Sequence, residues 1–378
     1  MIPNATQERA EKLLGLYAEA EEMLLARLAA QLKGIDRRDT SAWIQGKLTQ
    51  TSKLRAELQA AVDDLDRRSA AERVALMWAA HDEGADGLYR ELGLEGKPSA
   101  RSQSIVALID DADGRFSELH RRILRDVEDA YRDALADALP YAVMGVESTQ
   151  QALTRALNEL ADRGLVAFVD KAGRRWGLPE YAEMATRTGM MLSMLAGYTQ
   201  EALAHGEDLV IISDHYDECP LCAPWERKVL SLTGASARDK DCDGTLADAR
   251  AAGLFHPGCL HAMTVYVPGL TIKDAGKRGK RTAAQDKQGY KDRQQQRYAE
   301  RMVRRWKRRQ AVALTPQEER EARAHVEQWQ RKLRAATAAS NLPRKYNREG
   351  GRVKLSENAR KLRPYIVFGN GMAGPKPK

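Results

Sequence analysis

The chain has 378 residues, about two or three times the length of a typical single domain, so one small domain is excluded. Only 6% of the residues are aromatic and only 4 are Phe, which argues against a large compact β protein and favours helices rich in Ala, Leu, Glu and Arg. Residues 1–270 carry 31 Lys and Arg against 43 Asp and Glu, net −12, whereas residues 271–378 carry 30 against 10, net +20. An acidic body with a basic tail favours a polyanionic partner for the tail, against the alternative of a solvated helix without one.

Hydrophobicity and cysteine content exclude further classes of protein. No stretch approaches the roughly 18–20 uninterrupted apolar residues that a membrane helix needs, and the first residues lack the apolar segment of a secretory signal. We therefore expect a soluble chain that is not exported by the general pathway and has no membrane partner. The 4 cysteines are too few for a disulfide framework, so the CxxC among them suggests metal or redox chemistry.

Residues 1–164 are predicted to form a helical N-terminal region. Apolar residues at helical spacing indicate helices over Ala5–Leu32, Leu48–Leu65 and Phe116–Leu139. Pro140 is expected to end the third helix, with a connection over residues 140–147. Glycines predict a further loop over residues 84–100. Whether this region forms one domain or two stays open.

Residues 165–270 are predicted to form a small α+β module within a mainly α chain. It combines a strand, a turn and a return strand over residues 168–176, a helix over Leu178–Ala204, and strands at Leu209–Ile212 and Met263–Val267. The last two strands flank all the cysteines, so the cysteines are expected to lie in the loops between them.

Two short motifs in these loops carry the sharpest chemical signal. Cys219 and Cys222 form a CxxC, and after 33 intervening residues His256 and Cys259 form an HxxC, with His261 two residues further on. Two such pairs place soft and borderline ligands near one point, which predicts a tetrahedral Cys3His zinc site. Four protein ligands leave no open position for water, so the zinc is expected to be structural. His261 either replaces His256 or lies outside the ligand set.

Redox or deaminase chemistry fits the CxxC motif less well than zinc binding. A redox CxxC opens a helix in a thioredoxin-like unit, whereas Pro220 and Pro224 predict a turn here. A nucleobase deaminase has HxE followed by PCxxC, but no Pro precedes Cys219 and only 11 residues separate it from Glu207. Cys242 is predicted to be a free thiol. No nucleophile with a matching base is found, so no catalytic residue is predicted.

Residues 271–378 are predicted to form a basic helical tail. After a linker rich in Gly and Lys, helices are expected over Gln285–Ala313 and after Pro316, followed by about 35 extended residues. Side chains at i, i+4 spacing from Tyr290 to Trp306 predict a stripe that packs against another element. Basic residues on a neighbouring face are the predicted contacts to a polyanion: Arg297, Arg301, Arg304, Arg305, Lys307, Arg308 and Arg309.

A series of short motifs runs in order through the central module. They are Trp176, Tyr181–Met184, Arg187–Thr188, Gly206–Val210, Cys219–Trp225, Ser231–Gly234, Ala249–Arg250, Gly253–His261 and Pro268–Gly269. In these motifs, and in the tail from Tyr290 to Arg334, the chain resembles the phage minor capsid protein 2 family, relatives of the Mu F-like head-morphogenesis proteins of tailed phages. The resemblance covers roughly residues 165–340 and little of the N-terminal helices. Gly258 and Leu260 stand where the family often has Asn and Arg or Lys, which removes no candidate ligand.

The resemblance implies a minor structural protein of the phage head, present in few copies inside the capsid near the portal and assembled in the host cytoplasm. We therefore expect the N-terminal helices to dock on the portal protein or the major capsid protein, with the zinc-stapled module as a rigid connector. The seven basic residues of the tail are expected to contact packaged double-stranded DNA without reading its sequence. No small-molecule substrate is implied.

Two alternatives to this interpretation stay open. One is a metal-dependent enzyme with nuclease or toxin-like activity, which would need an open metal position. The other is a structural protein whose tail binds scaffold or major capsid protein instead of DNA.

Overall fold

A computed structural model describes residues 4–33, 40–49, 51–98, 103–144, 148–169, 173, 175–214, 221–257, 259, 261–271 and 283–350. Its helices are α1 (Asn4–Gln31), α2 (Thr40–Thr49), α3 (Thr51–Leu92), α4 (Gln103–Met144), α5 (Thr149–Arg163), α6 (Leu178–Ala204), α7 (Leu246–Ala251), α8 (Ala283–Val312) and α9 (Pro316–Ser340). Its strands are β1 (Val166–Val169), β2 (Arg175–Gly177), β3 (Leu209–Ile212), β4 (Val229–Ser231), β5 (Gly244–Thr245) and β6 (Met263–Val265). The predicted mainly α class with small sheets is confirmed. None of the helices within these ranges is both long and apolar enough to cross a membrane.

The first glycines of the loop predicted at residues 84–100 lie inside α3 instead. Gly84 stands where α3 crosses α6, and a Cβ atom added to it would lie 1.9 Å from the carbonyl oxygen of Met194. Gly197 is the equivalent glycine on α6, because a Cβ atom added to it would lie 2.0 Å from the carbonyl oxygen of His81. The loop is therefore confirmed for residues 93–98 and wrong for residues 84–92, because Gly84 allows two helix backbones to touch rather than the chain to turn.

The end of α4 also differs from the prediction. The helix runs through Pro140 and stops at Met144. Pro140 lies near the end of α4, where its missing N–H removes one backbone hydrogen bond and leaves the preceding helix intact. The connection after α4 therefore begins after Met144 and not at Pro140. Residues 145–147 lie outside the described ranges.

The central segment contains the predicted hairpin, helix and two strands, together with β4, β5 and α7, which the sequence analysis does not predict. β1 and β2 pair antiparallel, and α6 and β3 have the predicted bounds. A four-stranded sheet has the order β5-β4-β3-β6, in which β3 is antiparallel to both β4 and β6 while β5 is parallel to β4. All four residues of β3 are buried, which explains why the run Leu209–Ile212 is apolar throughout.

The edge strand β6 is tied to two helices by side chains. Val265 donates its backbone N–H to the hydroxyl of Tyr198 on α6 at 2.7 Å and to the carboxylate of Glu91 on α3 at 2.8 Å. The Tyr198 hydroxyl donates in turn to Glu91 at 2.7 Å. Desolvation raises the pKa of Glu91, although the hydrogen bonds from Tyr198 and Val265 oppose it. These acceptors occupy a backbone donor that an edge strand would otherwise offer to another chain.

The stripe predicted along α8 packs on α9. The rings of Tyr298 and Trp329 meet edge to face with their centroids 5.5 Å apart, and Trp306 stacks on His325 at 3.8 Å. The prediction is thus confirmed for Tyr298 and Trp306. The side chain of Tyr290 lies outside the described set.

The second tail helix begins as its sequence indicates. The Thr315 side chain accepts the backbone N–H of Glu318, whose own side chain reaches back to the Thr315 backbone, and Pro316 occupies the first turn. The predicted linker falls largely on residues 272–282 and the predicted extended end on residues 351–378, and both ranges lie outside the described part of the chain.

The chain divides into two compact units, each drawn from three separate segments. One unit contains residues 1–14, 67–118 and 180–295, and the other contains residues 15–66, 119–179 and 296–378. The four-stranded sheet belongs to the first unit, whereas the β1–β2 hairpin, α5 and α9 belong to the second. The domain boundaries at residues 164 and 270 stay a prediction.

Replacing either crossing glycine should destabilise the first unit. We expect Gly84→Ala and Gly197→Ala to lower the free energy of unfolding by about 2–4 kcal/mol, because each new methyl group collides with a backbone carbonyl. Gly87→Ala is the matched control, since its Cβ meets no atom within 4 Å and better helix propensity should add up to about 1 kcal/mol. Thermal and urea unfolding of the full chain measure both effects. Equal stability of the Gly84 and Gly87 variants would contradict the close crossing.

Candidate metal centre

Two loops converge at one end of the four-stranded sheet. The loop between β3 and β4 carries Cys222, and the segment leading into β6 carries Cys259 and His261. Because β3 is antiparallel to both neighbours, its carboxyl end lies beside the first residues of β4 and β6, with Ile212 paired to Met263. Residues far apart in sequence therefore meet at this end of the sheet.

Tight turns set the position of both cysteines. The N–H of Trp225 donates to the carbonyl of Cys222 at 2.9 Å, which closes a single 3₁₀ turn containing Pro224. The N–H of Cys259 likewise donates to the carbonyl of His256 at 2.9 Å. The turn after Cys222 agrees with the prediction from its prolines and differs from the helix that a thioredoxin-like CxxC opens.

Three of the predicted ligands form a cluster. Sγ of Cys222 lies 3.7 Å from Sγ of Cys259, which lies 3.4 Å from Nδ1 of His261. The ligand atoms of all three residues lie within 4.8 Å of one another, and Cys222 is fully buried among apolar side chains. Two thiols and an imidazole nitrogen at this spacing could hold a metal ion.

Glu226 contacts the cluster through His261, a contact that the sequence does not predict. Its carboxylate lies 2.6 Å from Nε2 of His261. When Nε2–H donates to Glu226, a neutral His261 turns the lone pair of Nδ1 toward the two sulfur atoms. Metal-binding histidines are commonly oriented in this way by a carboxylate on the other ring nitrogen. A lone Glu four residues after a Cys gives no signal in the sequence, because only the fold brings it to His261.

The charges within the cluster favour a thiolate. The hydrogen bond to Cys259 raises the pKa of His261 to about 9, with burial opposing the shift and Glu226 adding to it. Burial raises the pKa of Cys259, but hydrogen bonds from His261 and Cys222 outweigh it and hold that pKa below the usual value. Because thiolates are the form of cysteine that binds metal, the site suits a cation.

Two predicted ligands do not belong to the described cluster. Cys219 lies outside the described residues. His256 is not among the three residues whose ligand atoms lie together. Nδ1 of His256 lies 2.9 Å from the Pro257 carbonyl, and its Nε2 is buried without a hydrogen-bond partner in the described part of the chain. His256 thus has an unused nitrogen, and both residues stay candidates for a fourth ligand.

Cys242 lies apart from these residues. It is a free cysteine, as predicted, and its thiol donates to the carbonyl of Gly244 at 3.1 Å. Its side chain packs beside Leu209, Ile211 and Val229. We assign it no role in metal binding.

Three of the basic residues predicted to meet a polyanion are engaged inside the protein. Nε of Arg305 and Nε of Arg309 donate to Asp162 at 2.7 and 2.6 Å. Burial pushes the pKa of Asp162 upward, but these hydrogen bonds hold it below the usual range. Arg308 is buried and forms an ion pair with Glu21 at 3.4 Å. These guanidinium groups stabilise the second unit.

The other four basic residues fall into two pairs. Arg304 and Lys307 donate to backbone carbonyls, Arg304 to that of Arg348 and Lys307 to that of Gly350 at 3.2 Å. Arg297 and Arg301 are exposed and have no acidic partner among the described residues. The seven residues are therefore not equivalent, although they share one helix.

Removing the carboxylate behind His261 should weaken metal binding without removing a ligand. We expect Glu226→Gln to lower the affinity for Zn²⁺ by about 10–100-fold, because an amide orients the imidazole less strongly than a carboxylate. Competition between the full-length protein and a chromogenic chelator measures this affinity. Glu95→Gln, an exposed change in the same unit, is the control and should leave it unchanged. An unaltered affinity in Glu226→Gln would exclude the orienting role.

Comparisons with known proteins identify the family of the chain. The phage minor capsid protein 2 family matches residues 1–337. The match includes the N-terminal helices, so the expectation that these carry little of the resemblance is corrected. A curated protein described as a structural protein of Lactococcus phage LL-H is 28% identical over 192 residues, or 48% of this chain. The chain matches about half, 50%, of the length of that relative.

No solved structure matches the chain. The assignment therefore depends on the family match, which spans most of the sequence and both compact units. The chain belongs to the phage minor capsid protein 2 family.

Proposed function

We propose that this protein is a minor structural component of a tailed-phage head and not an enzyme, held inside the capsid near the portal. The observation that carries the proposal is the family match over residues 1–337. The relative from phage LL-H, described as a structural protein, supports the same role. The long N-terminal helices supply the surface that docks on the portal protein or the major capsid protein.

We further propose that the Cys222, Cys259 and His261 cluster binds zinc, with a structural role. Two thiolates and one imidazole form a ligand set that zinc prefers over harder cations. Either Cys219 or His256 supplies the fourth ligand. Zinc bound there would cross-link the loop after β3 to the segment before β6. The strands of this sheet have only two to four residues and bury little surface, so such a link contributes directly to stability.

Metal analysis tests the zinc proposal. The protein purified without added metal should contain one tightly bound zinc per chain, and chelation should lower its melting temperature. Cys222→Ser and Cys259→Ser should lose the zinc, while Cys242→Ser is the matched control and should keep it, because Cys242 lies outside the cluster. Whichever of Cys219→Ser and His256→Asn also loses zinc identifies the fourth ligand. A zinc-free protein whose stability is unaffected by chelation would reject the proposal.

An enzyme is the second candidate, and one observation favours it. The described cluster has three ligands, so a bound metal would keep a position for water if neither Cys219 nor His256 bound. DNA cleavage by the zinc-loaded protein that disappeared in folded Cys222→Ser would support the enzyme. Full zinc ligation without any turnover would support the structural role.

We propose that the basic tail faces packaged DNA, on the basis of its net charge of +20 over residues 271–378. An acidic protein such as scaffold is the alternative partner. DNA confined in the head would hold the tail by counterion release, with little dependence on base sequence.

Protease protection tests the location. In intact particles of the phage that encodes this chain, the protein should resist added trypsin, and it should be cleaved within its Arg-rich tail once the particles are opened by osmotic shock. A major tail protein of the same particles serves as the exposed control. Cleavage in intact particles would place the chain on the outer surface and overturn the internal location.

A further inference from the structure

Two exposed cations of the α8–α9 pair lie over two aromatic rings in the second unit. Arg301 lies over the ring of Tyr298 at 5.9 Å, and Lys332 lies over the ring of Trp329 at 4.1 Å. The two rings touch with their centroids 5.5 Å apart, so the cations from the two helices are neighbours. Arg297 precedes Arg301 by one helical turn, about 6 Å. We call Arg297, Tyr298, Arg301, Trp329 and Lys332 the Tyr298–Trp329 patch.

No acidic side chain among the described residues neutralises this patch. Arg297, Arg301 and Lys332 are all exposed and form no ion pair within the described ranges. The nearby acids are used elsewhere, since Glu300 is buried against Gln296 and Glu327 pairs with Arg323. The positive charge of the patch is therefore available to a partner, unlike that of Arg305 or Arg309.

We propose that the Tyr298–Trp329 patch is where the tail contacts the phosphate backbone of duplex DNA, an inference that rests on the proposed contact between tail and DNA. It reassigns that contact from the seven basic residues of α8 to two of them, Arg297 and Arg301, together with Lys332 of α9. Two guanidinium groups and one ammonium group match phosphate oxygens by charge and by hydrogen-bond donors. Duplex DNA presents one negative charge per about 1.7 Å, twice the density of a single strand.

The rings of the patch favour backbone contact over base stacking. Single-strand binding proteins offer open aromatic faces to successive bases. Here Lys332 lies over the face of Trp329, and Tyr298 meets Trp329 edge to face. The rings hold the cations at the surface, and the patch reads neither bases nor sequence.

Fluorescence anisotropy with the full-length protein tests the proposal. The probes are a labelled 20-base-pair duplex and one of its strands, titrated at several salt concentrations between about 50 and 200 mM, where counterion release dominates. The triple variant Arg297→Gln, Arg301→Gln, Lys332→Gln should bind the duplex at least tenfold more weakly. The slope of log K against log salt should become shallower by about 2–3, roughly one for each lost phosphate contact.

A charge-matched variant provides the control. Arg238→Gln, Lys240→Gln, Arg250→Gln also removes three exposed cations, but from the acidic body of the chain, and it should bind the duplex like the unaltered protein. Circular dichroism and melting temperature check that both triple variants fold. A patch variant that is indistinguishable from this control would overturn the patch while leaving the tail–DNA proposal in place.

Three other outcomes would also contradict the patch proposal. If the unaltered protein binds no DNA even at low salt, the tail–DNA proposal and the patch fail together. If the single strand binds more tightly than the duplex, stacking replaces backbone contact and the assignment to duplex phosphates is wrong. If polyglutamate of equal charge displaces the duplex as effectively as unlabelled duplex does, the patch is a site for an acidic protein.

Discussion

Where α3 crosses α6, each helix sets a glycine against a carbonyl oxygen of the other, and the position of the edge strand follows from that contact. The same two helices supply Glu91 and Tyr198, which share the backbone N–H of Val265. That bond ties β6 to the two helices, and β6 begins just after Cys259 and His261. A side chain at either glycine would separate the helices and with them the acceptors for β6. The geometry of the metal-binding cluster thus depends on Gly84 and Gly197, which have no side chain that could bind a metal.

A cation would balance the charge of the cluster when both of its thiols are ionised. Two sulfur atoms 3.7 Å apart in a buried setting repel one another once both are ionised, and an imidazolium at His261 offsets only one of those charges. A divalent ion bound between them would offset both and would release the protons. Glu226 then stabilises the ring of His261 in the orientation that binds. This charge balance supports the proposed metal staple and the expected change of stability on chelation.

Arginines at matching positions of α8 have different roles in this chain. Arg297, Arg301, Arg305 and Arg309 follow one another at i+4 spacing and so lie along one stripe of the helix. The second half of the stripe lies against Asp162, whereas the first half meets no acid in the described part of the chain. Charge that is open to a partner and charge that stabilises the fold therefore occupy successive halves of one stripe, and composition alone cannot separate them.

Local signals in the sequence determined much of this protein. Helical apolar spacing predicted α6, and a continuous apolar run predicted β3, both at their observed bounds. The prolines beside Cys222 indicated a turn, and the charge split marked the tail. Each of these signals depends on residues that are neighbours in the sequence. Tertiary structure decided the rest. It turned Gly84 from a loop residue into a helix contact, brought His261 and Glu226 to the two cysteines, and assigned Arg305 and Arg309 to Asp162. These outcomes depend on contacts between residues distant in the chain, which no local pattern encodes.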